Sequence, residues 1–128
     1  MEGRREARER ALELLYEAEI KNTSAAELIS ALPVPPVAYS VLLTEGVDEH
    51  RAEIDKLLRE YARGWSLERM PAVDRALLRL ATYELLHQAD VPVGVVISEA
   101  VELASEFSTD DSGRFVNGVL SAIAKRDE

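Results

Sequence analysis

Apolar residues recur at three- and four-residue intervals along almost the whole chain, and this spacing restricts the fold to amphipathic helices packed on one another. From about Arg4 to Ile20, the residues Ala7, Ala11, Leu14, Leu15 and Ala18 share one stripe, and Arg4, Arg5 and Arg8 project from the same first turns. Asn22, Thr23 and Ser24 end that pattern. Ser24 with Glu27 has capping-box spacing for a short helix through Ala31. Pro33, Pro35 and Pro36 enforce a loop. A second long pattern, between Val37 and Arg63, runs through Tyr39, Leu42, Leu43, Val47, Ile54, Leu57, Leu58 and Tyr61. Gly46 is its expected weak point or kink, and Gly64 its stop signal.

Ser66, Arg69 and Met70 predict one short turn, followed by Pro71 at the first position of a helix from Ala72 to about Gln88. That helix has the stripe Val73, Leu77, Leu80, Ala81 and Leu85, interrupted by one acid, Glu84. Asp90 to Gly94 reads as a turn. A helix through Ile97, Ala100, Val101, Ala104 and Phe107 should end near Ser108. Ser108 with Asp111 is the expected cap of a last helix carrying Phe115, Val116, Val119, Leu120 and Ile123. No strand pair or internal repeat emerges. The expectation is an all-α protein, a compact bundle of about six to seven helices forming a single domain over residues 1–128.

With 128 residues and 47% hydrophobic content, such a bundle can bury a core without metal or disulfide support. The chain has no cysteine, which removes disulfides, thiol nucleophiles and thiolate metal sites, so a cytoplasmic location is the default. The start MEGRREARERALELLYE alternates charged and apolar residues and lacks the continuous apolar stretch of a signal peptide. No run approaches the length of a membrane span. The net charge of −9 opposes nucleic-acid binding unless the cations are local. Residues 1–10 hold four arginines against three glutamates, a balance of +1 that leaves −10 on the other 118 positions. Any RNA site must therefore be local, and the acidic remainder suits a basic partner.

The inventory for catalysis is poor. His50 and His87 are isolated in sequence, and there is no HExxH, GxxxxGK or GxSxG motif. Adjacent Asp110 and Asp111 before a helix read as capping and dipole compensation rather than acid–base chemistry. The N-terminal arginines have two readings, a solvated ion-paired face or an RNA arm. In the last helix Arg114 adjoins Phe115, while Asn117 and Gly118 interrupt an apolar pattern. Gly118 costs roughly 1 kcal/mol relative to alanine inside a helix, a cost usually offset by close packing or a ligand's approach. Phe115 is either a core residue or, if exposed, a platform for an unpaired base beside the Arg114 charge.

The segments RREARERALELLYEAE, RMPAVDRALLRLATYELL and DVPVGVVISEAVELASEFSTDDSGRFVNGVL, in that order, closely resemble the NusB family, most specifically in FVNGVL and the acids before it. The resemblance implies two small helical sub-bundles packed side by side and no enzyme activity or cofactor. It also implies a function in transcription antitermination. Members bind box A RNA together with the ribosomal protein NusE and support antitermination complexes on RNA polymerase, notably in ribosomal RNA transcription. By position, it places Arg4, Arg5 and Arg8 in an RNA-contacting arm, adds Arg114 and Phe115 from the last helix, and links Asp111 to RNA or partner affinity. It puts the protein partner at Tyr16, Glu68 and Asp74, on a short first helix, the RMP turn and the helix after it, with Tyr16 as the main anchor.

Two rivals differ in class. A NusB-like front domain of an RNA cytosine methyltransferase predicts a catalytic domain after it, whereas the sequence stops at Glu128. A helical protein-interaction adaptor without an RNA role predicts that Arg4, Arg5, Arg8 and Arg114 can be replaced by alanine without effect on RNA. A homodimer that hides the arginine-rich arm is a further possible assembly.

Overall fold

The computed structural model describes residues 2–126, which form seven α-helices, one 3-10 turn and no strand. The helices are α1 (Glu2–Ile20), α2 (Ala25–Ser30), α3 (Ala38–Glu49), α4 (Arg51–Tyr61), α5 (Ala72–His87), α6 (Val93–Phe107) and α7 (Asp110–Ala124), with the 3-10 turn at Leu67–Arg69 between α4 and α5. The stripe on α1 is buried as its spacing requires, through Ala7, Ala11, Leu14, Leu15 and Ala18, with Leu12 added. Far from short, α1 is the longest helix at 19 residues. Its alanines leave room for α3, where the Ser40 hydroxyl donates to the Ala7 carbonyl at 2.8 Å.

Ser24 caps α2 as its spacing predicts, accepting the Glu27 amide at 3.1 Å. The long pattern after the prolines is broken, but not at Gly46. The break is His50, a single residue between α3 and α4 with φ −105° and ψ 20°. Gly46 lies inside α3, where an added Cβ would sit 2.2 Å from Cζ of Tyr83. Its missing side chain lets α5 press its tyrosine onto α3. Gly64 acts as a stop signal, adopting φ +84° three residues past α4.

Pro71 precedes α5 as its cap instead of being its first helical residue. α5 is the central element, touching α1, α3, α4, α6 and α7. α1, α2 and α3 form one group, and α4, α6 and α7 gather on the other side of α5. These two groups share one continuous core, in which Leu43, Ile54, Leu58, Leu77, Leu78, Leu103, Leu120 and Ile123 are fully buried.

α6 begins at Val93, inside the expected turn, behind the cap Pro92. Its buried stripe runs through Val96, Ala100, Leu103 and Ala104, and Phe107, the last residue of the helix on that same face, is 42% exposed beside Tyr16. The cap of α7 is Thr109, one residue later than expected, whose hydroxyl accepts the Ser112 amide at 3.0 Å. Ser108 instead lies 3.0 Å from the Ser112 hydroxyl. No helix among the described residues is long and apolar enough to cross a membrane.

Candidate functional site

Arg4, Arg5 and Arg8 meet three different environments. Arg8 is buried, with 4% exposure, and does not project to solvent as its position in the first turns led one to expect. Its Nε donates to both carboxylate oxygens of Glu84 at 2.9 and 3.1 Å, and Nη2 donates to Oε2 at 2.9 Å. The Tyr39 hydroxyl donates to the same oxygen at 2.6 Å. Glu84, the lone acid in the stripe of α5, is thus satisfied by an α1 guanidinium and an α3 phenol, as a charge at 2% exposure must be. Burial, and then the bond to Glu84, hold the Tyr39 hydroxyl protonated well beyond its ordinary range.

Arg4 stays at the surface. Its guanidinium lies 4.1 Å from the centroid of the Tyr39 ring and 3.8 Å from Asp90, with 43% of the side chain exposed. Arg5 crosses to α6, donating to Glu99 at 3.2 and 2.8 Å and reaching Glu102 at 2.9 Å. The Arg5 hydrogen bonds hold the Glu99 carboxyl below its ordinary value, outweighing partial burial. Arg4 and Arg5 thus flank an open groove floored by Val91, Pro92 and Val95.

On α7, neighbours in sequence face different ways. Arg114 and Asn117 line a groove between α6 and α7 that also contains Glu102, the contact of Arg5. Arg114 pairs with Asp111 one turn earlier, and both side chains are exposed. Phe115 is half-buried and points to the other side, where its ring centroid lies 6.2 Å from that of Trp65. Both line a small cleft with Pro71, Asp74, Thr109 and Asp111. The charge and the aromatic face are therefore separated across α7. Gly118 has open space around its Cβ position, so no close packing within the chain offsets it.

Trp65, 51% exposed, is the residue that sequence reading missed. The available signal was a lone tryptophan directly after a stop glycine, outside any apolar stripe.

Of the three expected partner residues, Tyr16 is 40% exposed and borders a cleft with Leu12, Val73 and Phe107. Glu68 is exposed on the 3-10 turn and accepts from Arg59 at 2.8 Å, which keeps its carboxyl below the ordinary value. Asp74 departs from the expectation, being buried at 4% exposure in the first turn of α5. One of its oxygens accepts the Ser112 hydroxyl at 2.9 Å, while Oδ1 has no partner among the described residues. It sits between the starts of α5 and α7, where two positive helix ends favour a carboxylate. Asp74 therefore braces the Phe115 cleft instead of lying on the surface beside Tyr16.

The two histidines are not isolated in space. The break at His50 and the end of α5 bring the imidazoles of His50 and His87 into a stack at 4.0 Å, next to Glu53. A separation of 37 positions hid this pair in the sequence.

An all-helical protein whose exposed cations and aromatic rings lie along grooves at helix ends is built as a macromolecular binding module. The NusB family model matches residues 5–125. The chain belongs to the NusB family. It is 51% identical to the transcription antitermination protein NusB of Kineococcus radiotolerans, with 100% of this chain and 97% of that protein covered. Among solved structures, it resembles NusB of T. maritima at a TM-score of 0.85 and 36% identity, with 95% and 90% of the two chains covered. It also resembles a chain in the complex of antitermination factors NusB and NusE with dsRNA, at a TM-score of 0.84 and 30% identity, with 98% of each covered.

Proposed function

We propose that this chain is a non-enzymatic, cytoplasmic transcription antitermination factor that binds box A RNA jointly with NusE, as part of antitermination complexes on RNA polymerase that act notably in ribosomal RNA transcription. Family membership supports the class, and the similarity to a chain solved with NusE and dsRNA supports the joint mode. The observation that carries the reading is the placement of Arg4, Arg5 and Arg114 along α1, α6 and α7, on a chain of net charge −9. These cations would follow the phosphates, and the Trp65–Phe115 cleft would receive an unpaired base. Asp111 would tune the site through its pairing with Arg114, and Arg8 would act from inside by fixing Tyr39, on which Arg4 rests. Tyr16 and Glu68 would meet NusE, while Asp74, bound to Ser112, would hold the Phe115 cleft in shape. An acidic body that docks a basic protein supplies what the RNA site lacks alone, because the pair presents more positive charge than this chain does.

The test is RNA binding by the chain alone and with NusE, over a salt series. Affinity for box A RNA should rise when NusE is added and exceed that for a scrambled sequence. No rise sinks joint recognition, and equal binding of the scrambled RNA leaves only electrostatics. Phe115→Leu should preserve packing and weaken RNA binding. Unchanged affinity in the folded variant returns Phe115 to a purely structural role.

A further inference from the structure

We propose that His50, Glu53 and His87 form a surface site for a late first-row divalent cation of the zinc class, one that clips the α3–α4 break to the end of α5. Among the described residues, this is the group of three His, Asp or Glu side chains whose ligand atoms all converge, lying within 4.8 Å of one another. Glu53 Oε1 is 3.0 Å from His87 Nε2 and 3.5 Å from His50 Nδ1. Donors around a four-coordinate zinc ion, each about 2.0–2.1 Å from the metal, are separated by roughly 3.3 Å. Two of the three spacings already have that scale.

The chemistry of the donors narrows the ion. Two imidazoles and one carboxylate suit zinc and its neighbours, whereas magnesium and calcium prefer sets of oxygen ligands. Three protein donors leave a fourth position for water.

The framework beneath the donors is rigid. Tyr83 is buried, and its ring centroid lies 5.9 Å from that of His50 and 5.3 Å from that of His87, so one ring supports both imidazoles. Gly46 leaves the room that the Tyr83 ring occupies, because any side chain there would collide with it. The Glu49 carboxylate stands 4.0 Å from His50 Nε2, which leaves Nδ1, the nitrogen facing Glu53, as the donor to the ion. His50 is half-buried, while Glu53 and His87 are exposed, so small rotations can close the set without disturbing the core. None of these residues belongs to the RNA or partner surface, and the inference does not depend on that reading.

The experiment titrates Zn2+ into the full chain, prepared without a polyhistidine tag, by calorimetry, with Co2+ absorption as a second readout. One ion per chain should bind, the melting temperature should rise, and Co2+ should give the intense ligand-field band of a four-coordinate site. His50→Ala and His87→Ala should each weaken Zn2+ binding by about ten-fold or more, the scale on which even outer-shell partners of a metal act. His87→Gln provides the same test should an alanine variant fail to fold. Absence of Zn2+ binding, variants that bind as tightly as the parent, or a weak six-coordinate Co2+ spectrum would each overturn the proposal, the last two marking scattered acidic sites.

Discussion

Arg8 shows how far a residue's neighbours can override its type. An arginine in the first turns of an N-terminal helix ordinarily lies in water, yet here Glu84 and Tyr39 draw it into the core. Replacing Arg8 by methionine leaves a buried carboxylate with only a phenol to satisfy it, and such orphaned charges cost about 3–5 kcal/mol. Chemical denaturation of Arg8→Met should show a loss of that size, and adding Glu84→Leu should recover most of it. A loss below about 1 kcal/mol would mean that the pair adds little beyond its packing. Gly118 is the opposite case, an open helical position where the chain keeps glycine without needing it for its own packing.

At the scale of the helix, the contact between α3 and α5 depends on one missing side chain. Gly46→Ala would drive a methyl group into the Tyr83 ring, and overpacking of this kind costs about 1–3 kcal/mol. The outcome to measure is a drop in the urea midpoint with an unchanged m-value, and an unchanged midpoint would show that the ring moves aside freely. The same contact explains what the sequence could and could not reveal. Helix existence was legible because apolar spacing is local, and α1, α2, α5 and α7 lie within a few residues of their expected bounds. The break at His50 was not legible, since a glycine four residues earlier is the stronger local signal. Its true role depends on a tyrosine 37 positions away. The candidate site divides in the same way. Arg114 and Tyr16 are exposed and Arg4 is partly so, while the burial of Arg8 and Asp74 rests on partners from distant helices.

At the scale of the whole molecule, ion pairs join the two helical groups. Arg75 and Arg79 of α5 both reach Glu19 at the end of α1, and Arg79 also holds Asp55 of α4 at 2.9 and 3.1 Å. Hydrogen bonds from Arg75, acting against partial burial, lower the Glu19 carboxyl from its ordinary value of 4.5. A depressed folded value means that the contribution to stability is complete above the unfolded value and is lost as pH falls through the folded one. The melting temperature should therefore hold down to about pH 4.5 and fall progressively below it. In Arg75→Met the decline over that window should be shallower, and an identical profile would remove Glu19 from the balance. Salt reads the surface in a similar way. Arg4→Ala should reduce the slope of log affinity for RNA against log salt by about 0.7, the value for one phosphate contact on a single strand.

On the proposed RNA reading, Arg5 is already bound to carboxylates before any nucleic acid reaches it. Glu99 and Glu102 occupy its guanidinium as a phosphate would, so each phosphate must displace a resident competitor before it gains anything. The net gain per contact is then a difference between two similar ion pairs, small for a strand that touches one arginine and cumulative for a strand that follows the whole groove. Such an arm would screen out stray polyanions by making them pay an entry toll.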